Sequence, residues 1–223
     1  MDDKKKQVHP ADEYELRKKV ARAFEVLCAK AHGSAATVFD HLLEFIVNGW
    51  TFKGNGIKWW SYDRNQTAAF LDMYKVILSA YHDVFDSKSW YDFLGELYET
   101  VVAGTGRRQG NGQFFTPMHM CDCMAGLVGS EKEDGKNGSV IDPCCGSGRL
   151  LLAHHAVKPQ DVLHANDIDR TCCLMAVCNF LFHGCMAVVT YGNGLMSDDG
   201  KETWYVHGQP APVPFIIKKE KEG

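Results

Sequence analysis

The sequence predicts an α/β protein in which an α-helical N-terminal region precedes a parallel sheet. Apolar residues first recur at helical spacing, a glycine-rich break follows at residues 104–112, and short apolar runs then alternate with helical segments. Strands that alternate with helices are typical of right-handed crossovers and a parallel sheet. We therefore expect a helical region at residues 1–105 and an α/β domain at residues 106–223.

The helical region contains four segments whose apolar residues recur every three or four positions, as in amphipathic helices. These segments are residues 16–27, 38–46, 70–81 and 90–101. Between the second and third segments, residues 48–65 are rich in Gly and Trp, which predicts a loop. The glycine-rich break at residues 104–112 is expected to be a flexible connector.

The second half contains three short runs rich in apolar and β-branched residues, at residues 140–141, 162–165 and 186–190. Helical patterns separate them near residues 148–157 and 170–183. The order strand, helix, strand, helix, strand predicts a parallel three-stranded core.

The composition is that of an ordinary soluble globular protein, with 45% hydrophobic and 23% charged residues among 223. No apolar run approaches the ~18 residues that span a bilayer, and the first residues lack the apolar core of a signal peptide, which predicts a cytoplasmic protein with no membrane partner. The net charge of −4 disfavours a strong stand-alone nucleic-acid binder. The nine cysteines have no recognised zinc spacing, so we expect no metal.

One stretch predicts a nucleoside site more strongly than any other. Residues 142–148 (DPCCGSG) follow an apolar run at residues 139–141 and open a helical pattern. Glycines let the backbone approach a ligand, and a helix start offers unpaired N–H groups to an anionic group. A strand that ends in an acid and a glycine turn is therefore suited to a nucleoside cofactor.

Three further features surround this turn in a fixed order, at residues 111–117 (NGQFFTP), 166–169 (NDID) and 191–195 (YGNGL). An acid at the end of the second strand can accept hydrogen bonds from ribose hydroxyls. Asn193, after the third strand, could bond the edge of an adenine ring; the alternative is that it only shapes a turn.

Together these features resemble the N6-adenine DNA methyltransferases, and most closely the modification subunit of type I restriction systems. Four stretches carry the resemblance, namely residues 95–99 (GELYE), 112–117 (GQFFTP), 142–148 (DPCCGSG) and 179–184 (NFLFHG). The resemblance implies a Rossmann-like S-adenosylmethionine-dependent methyltransferase fold with a truncated parallel sheet.

The resemblance also implies S-adenosylmethionine as the cofactor and assigns residues to it. The pocket wall is assigned to Phe115, Thr116 and Pro117, and the methionine end to Asp142, Gly146 and Gly148. The ribose is assigned to Asp167, and the adenine to Ile168 and Asn193.

The catalytic tetrapeptide of that family, Asn/Asp-Pro-Pro-aromatic, is missing. The nearest candidate is the stretch at residues 209–212 (QPAP), in which Gln209 could offer a carbonyl oxygen and Pro210 would follow it. The alternative is a proline-rich surface tail. Pro214 and Phe215 form a second, weaker candidate.

The sheet of that family has about seven strands, and this chain supplies fewer. Parallel sheets avoid open apolar edges. We therefore expect residues 203–217 to add strands beside the first strand, or a partner to cover that edge.

The leading prediction is a DNA adenine-N6 methyltransferase of a restriction-modification system. The missing tetrapeptide favours an alternative, a non-catalytic cofactor-binding or interaction subunit, and methylation of another acceptor is a third reading. The resemblance implies DNA as a partner through a separate specificity subunit. It leaves open a homo-oligomer and a chain that is a fragment of a longer protein.

Overall fold

The computed structural model describes residues 10–51, 62–102, 115–129, 138–194, 200–208 and 213–220. The chain forms two compact units: the first contains Met1–Phe45 and Lys58–Phe114, and the second contains Ile46–Ile57 and Phe115–Gly223. Three predictions fall outside the described residues. They are the domain boundary at 105/106, the connector at residues 104–112 and most of the loop at residues 48–65. They stay predictions.

The first unit is helical in its described part, which confirms that a helical region precedes the sheet. Its helices are α1 (Pro10–Ala31), α2 (Ala35–Trp50, which ends in the second unit), α3 (Arg64–Phe85), α4 (Phe93–Leu97) and a π-helix (Tyr98–Val102). Their apolar faces meet in an aromatic core. The Phe39 ring contacts those of Phe24 and Tyr98, with centroids 5.9 and 5.8 Å away.

The helix predicted at residues 90–101 is confirmed only in part, because the helical stretch runs from Phe93 to Val102 and changes type at Tyr98. The α-helix starts only at Phe93, after Asp92, whose carboxylate accepts the Gly95 N–H at 2.7 Å. From Tyr98 the helix widens into a π-turn. The Thr100 hydroxyl donates to the Glu96 carbonyl at 2.7 Å, and a side chain that bonds a helical carbonyl competes with the regular backbone ladder.

The second unit holds a five-stranded sheet in the order β1-β2-β3-β4-β5. Its strands are β1 (Ser139–Asp142), β2 (Val162–Asp167), β3 (Met186–Tyr191), β4 (Glu202–His207) and β5 (Phe215–Glu220). β1, β2 and β3 are parallel, as predicted, whereas β4 and β5 each run antiparallel to the strand before. The sheet is therefore mixed rather than purely parallel.

The prediction that residues 203–217 lie beside the first strand is wrong, because β4 pairs with β3 and β5 pairs with β4. An antiparallel neighbour needs only a short return of the chain, whereas a parallel one needs a crossover of a dozen or more residues. The ten residues between Tyr191 and Glu202 suit the former. β1 ends the sheet in its described part, with Ile141 71% exposed, and a partner over this edge stays a prediction.

Besides the end of α2, the described part of the second unit contains the helices α5 (Met118–Gly129), α6 (Arg149–Val157) and α7 (Arg170–Phe182). α6 and α7 are the crossovers that make the three strands parallel. Eleven consecutive residues of α7, from Thr171 to Leu181, are buried, so this helix is enclosed rather than amphipathic. Because the three strands are parallel, their carboxyl ends share one edge, where Asp142 ends β1 and Asp167 ends β2. No helix in the described part of the chain is long and apolar enough to cross a membrane.

Candidate cofactor-binding site

The turn between β1 and α6 needs glycine for two separate reasons. Gly146 and Gly148 have φ angles of +54° and +89°, a region that side chains disfavour. A Cβ on Gly146 would also stand 2.9 Å from the Phe115 ring. The glycine turn therefore passes directly against the segment at residues 115–117, as the prediction of a shared pocket requires.

Gly148 has another environment. A Cβ there would stand 2.9 Å from the ring of Phe180 on α7. Its N–H donates to the Cys145 carbonyl at 2.8 Å and so closes the turn. Gly148 thus lets α6 begin close against α7, and its assignment to the methionine end stays a prediction.

Asp167, at the carboxyl end of β2, reaches back to the glycine turn. Its Oδ2 accepts the Gly146 N–H at 2.9 Å, and its Oδ1 accepts the Asp169 N–H at 2.8 Å. A carboxylate offers about four acceptor sites. Asp167 is therefore held in place by two backbone donors and keeps acceptor capacity on both oxygens, which is what two ribose hydroxyls require.

Asp142 ends β1 beside Asp167. Its Oδ1 accepts the Cys144 N–H at 3.0 Å. Burial raises the pKa of the Asp142 carboxyl; the bond from Cys144 opposes this, and the charge of Asp167 adds to it. Within the described residues neither carboxylate has an ion-pair partner. Two partly buried carboxylates without a cation favour a ligand that brings positive charge.

The segment at residues 115–117 is fixed by Arg149, the first residue of α6. Its guanidinium lies over the Phe115 ring, 5.2 Å from the centroid, and donates to the Thr116 carbonyl at 3.4 Å. Pro117, which is exposed, precedes α5 and accepts the N–H groups of Met120 and Cys121. Phe115 is thereby held between the guanidinium and Gly146.

The remaining candidates follow β2 and β3. Ile168 is 71% exposed directly after Asp167, which leaves an apolar side chain beside the acid. The turn that contains Asn193 runs next to β2, because the Gly192 N–H donates to the Asp167 carbonyl at 3.0 Å. Asn193 itself is half-buried. Gln209 and Pro210 lie outside the described residues.

Phe215, from the second catalytic candidate, lies in the sheet. Phe215 begins β5, and its ring stacks on that of His207 with centroids 4.5 Å apart and planes 12° apart. Phe215 therefore has an aromatic partner on β4, and its catalytic role stays a prediction.

Sequence reasoning missed three residues that shape the site: Arg149, Asn166 and Asn179. Asn166 on β2 donates to the Thr190 carbonyl at 3.1 Å, and its buried Oδ1 has no partner in the described part of the chain. That oxygen would stand 2.6 Å from a Cβ on Gly194. Asn166 opens the stretch at residues 166–169 that the sequence singles out, but only the acid of that stretch is given a role there.

The fold and this arrangement define a Rossmann-like α/β domain with a glycine turn between its first strand and the helix that follows. The family model described as N-6 DNA Methylase matches residues 89–219, which is more than half of the chain. The chain belongs to the N-6 DNA methylase family.

Curated relatives agree with this family but are much longer. The chain is 30% identical over 102 residues to a type I restriction enzyme MjaVIII methylase subunit of Methanocaldococcus jannaschii, covering 44% of this chain and 17% of the relative. It is 37% identical over 73 residues to the type II restriction enzyme and methyltransferase RM.BcgI of Heyndrickxia coagulans, covering 32% of this chain and 11% of the relative. The chain thus spans less than a fifth of either.

Among solved structures, the type I restriction-modification methyltransferase subunit of Streptococcus thermophilus matches with a TM-score of 0.46 and 15% identity, over 83% of this chain and 60% of that chain.

Proposed function

We propose that the edge formed by the glycine turn, Asp142 and Asp167 binds S-adenosylmethionine. The observation that carries the proposal is the pair of carboxylates without a cation beside a glycine turn. S-adenosylmethionine brings a sulfonium and an ammonium group, whereas a nucleotide phosphate would be repelled by both acids. The tight contact of Gly146 with Phe115 and the unpartnered Asn166 oxygen also suit a site shaped for a ligand.

The proposed roles follow the positions of the side chains. Asp167 accepts the ribose hydroxyls on its free lone pairs, and the exposed Ile168 covers one face of the adenine. Asn193 meets the adenine edge. The methionine end lies along the glycine turn near Asp142, where the carboxylate attracts its ammonium group, and the segment at residues 115–117 forms the wall.

The reaction we propose is transfer of a methyl group to the N6 atom of adenine in DNA. It is supported by the family and by relatives whose names describe restriction methylases. S-adenosylmethionine supplies the methyl group when bound. The chain contributes positioning and electrostatic stabilisation. Gln209 would accept a hydrogen bond from the amino group of the target adenine, and Pro210 would restrict the backbone next to Gln209.

The alternative is a cofactor-binding subunit without catalysis of its own. It is favoured by the stretch at residues 209–212, where Ala211 and Pro212 stand in place of the second proline and the aromatic residue. In either case we propose that the chain reaches DNA through a separate specificity subunit and that copies of the chain combine as a homo-oligomer. We also propose that the protein acts in the cytoplasm.

The first test is calorimetric titration of the full chain with S-adenosylmethionine, compared with Asp167→Ala and Asp169→Ala. The latter is the matched control, because Asp169 caps α7 by accepting the Thr171 N–H at 2.8 Å and its loss costs about 1 kcal/mol of stability. We expect binding to wild type and to Asp169→Ala, and none to Asp167→Ala. No binding to wild type, or equal binding to all three, contradicts the proposed site.

Transfer of labelled methyl groups to DNA then separates the two candidate functions. Incorporation that disappears in Gln209→Ala supports the enzyme. Binding without incorporation, with and without a specificity subunit, supports the non-catalytic subunit.

A further inference from the structure

We propose that Asn179 is a positioning residue that holds the glycine turn in the shape that receives the methionine end of S-adenosylmethionine. This inference rests on the proposed function. It assigns a role to a residue of α7 that lies outside the turn in the sequence and outside the set of predicted ligand contacts.

The main contact is a buried hydrogen bond. Asn179 is fully buried, and its Nδ2 donates to the Ser147 carbonyl at 2.9 Å. Ser147, 1% exposed, stands between the two positive-φ glycines. Because a carbonyl can only accept, the amide nitrogen rather than the amide oxygen must face Ser147. The turn is thus tied to α7 at its centre.

Packing by the same face of α7 reinforces this bond. The Phe180 ring occupies the space beside Gly148 where a Cβ would stand, and the Ala176 Cβ lies 3.4 Å from the same point. Residues 176, 179 and 180 share one face of a helix because they are three and four positions apart. One face of α7 therefore supports both Ser147 and Gly148.

The end of α7 that carries this face is fixed as well. The Asn179 carbonyl accepts the His183 N–H at 3.1 Å and the His183 Nδ1 at 2.6 Å. Since the acceptor is a carbonyl, Nδ1 must carry the proton. The backbone of Asn179 is thereby fixed by His183, and its side chain in turn fixes the glycine turn.

The consequence is a division of labour within the pocket. Asp167 and Ile168 contact the adenosine part, and the turn that Asn179 supports receives the amino-acid part. Loss of the amide donor should weaken binding of the whole cofactor but spare 5′-methylthioadenosine, which lacks the amino-acid part.

The test compares both ligands on the full chain with Asn179→Asp, which keeps the shape but sets a carboxylate against the Ser147 carbonyl. We expect affinity for S-adenosylmethionine to fall at least tenfold and affinity for 5′-methylthioadenosine to change less than twofold. Leu174→Ala is the matched control. Leu174 is also buried, but helical geometry places it on the side of α7 away from Asn179, so the ratio of the two affinities should not change.

Equal affinities in Asn179→Asp and wild type, or an equal loss for both ligands, would overturn the proposal. If Asn179→Asp does not fold, Asn179→Ala removes the donor without adding charge, and the same ratio is measured.

Hydrogen exchange separates this inference from the proposed function, because it needs no ligand. The Gly148 amide, bonded to Cys145, should exchange at least tenfold faster in Asn179→Asp but not in Leu174→Ala. Wild type that binds neither ligand contradicts the proposed function alone, whereas unchanged exchange at Gly148 contradicts the role of Asn179.

Discussion

The two edges of the parallel strands both hold an acid bonded to a glycine N–H, yet the two acids have different surroundings. At the amino edge, Asp161 accepts the Gly138 N–H at 2.8 Å and the Nε2 of buried His154 at 2.9 Å. At the carboxyl edge, Asp167 accepts the Gly146 N–H and lies beside a second acid, Asp142, with no cationic partner in the described residues.

The pKa values reflect this difference. Burial alone would raise the pKa of Asp161, but its hydrogen bonds with His154 and Gly138 outweigh burial and hold it below 3.8. The pKa of Asp142 is raised, chiefly by burial. A satisfied acid stabilises the folded chain, whereas an ionised, poorly compensated acid costs stability that a cationic ligand can return. This contrast supports the proposal that the carboxyl edge binds a ligand, whereas the acid at the amino edge stabilises the fold.

Among changes at the carboxyl edge, Gly146→Ala should have the largest effect on the affinity for S-adenosylmethionine. The left-handed φ and the 2.9 Å approach to Phe115 leave no room for a methyl group without moving the turn. We expect affinity for S-adenosylmethionine, measured by calorimetry, to fall about 100-fold, with about 1–2 kcal/mol of stability lost to backbone strain. Unchanged affinity would remove the glycine turn from the site.

Asp161→Ala should have the opposite signature. It leaves His154, 6% exposed, without a partner on Nε2, and its Nδ1 already has none in the described residues. An unpaired buried donor costs about 1–3 kcal/mol, so we expect that loss in urea denaturation. Affinity for S-adenosylmethionine should stay within threefold of wild type. A large loss of affinity would erase the distinction between the two edges.

The two acids should also respond oppositely to pH. The stability that Asp161 provides is fully present above its unfolded pKa of about 3.8 and is lost as the pH falls through its lower folded value. Because the folded pKa of Asp142 is raised, its ionisation costs stability at neutral pH, and acidification through that pKa relieves the cost.

Asp142→Asn tests this contrast. We expect the variant to melt a few degrees higher than wild type at pH 7, because the amide oxygen can still accept the Cys144 N–H and the charge near Asp167 is gone. Its affinity for S-adenosylmethionine should be several-fold lower than that of wild type. Between neutral and acid pH, this affinity should also fall less in the variant than in wild type. Asp161→Asn, the matched change at the other edge, should melt lower. The same direction of change in both variants would contradict the comparison.

The smallest expected effect is at Gly126 in α5, where a Cβ would meet nothing within 4 Å. Gly126→Ala should stabilise the chain by about 0.5–1 kcal/mol, because glycine costs helix stability relative to alanine. Thermal melting and calorimetry together should show higher stability with unchanged affinity. A loss comparable to that of Gly146→Ala would show that any added methyl group is harmful.

The sequence predicted what depends on local pattern. The three parallel strands and their crossover helices follow from short apolar runs between helical stripes, and glycines after an acid led to Gly146 and Asp167, which the structure bonds to each other. Leu78, however, belongs to the apolar residues of the predicted helix at residues 70–81 and is 39% exposed, because helical spacing alone does not fix the width of a buried face.

What the sequence did not predict depends on pairing between distant segments. The place of β4 beside β3 is set by a short return of the chain that apolar patterning does not encode. The bond from Asn179 to Ser147 joins residues 32 positions apart, and the stretch at residues 179–184 gives no sign of that partner. The role of Gly148 is likewise decided by Phe180, whose position depends on how α7 packs.

Hydrogen exchange of the full chain with and without S-adenosylmethionine tests the central claim most directly. The claim is that the ligand binds at the carboxyl edge and leaves the amino edge untouched. We predict slower exchange at residues 115–117, 142–148 and 167–169, and no change at residues 154–161. Protection confined to residues 154–161, or no protection at either edge at saturating ligand, would contradict it.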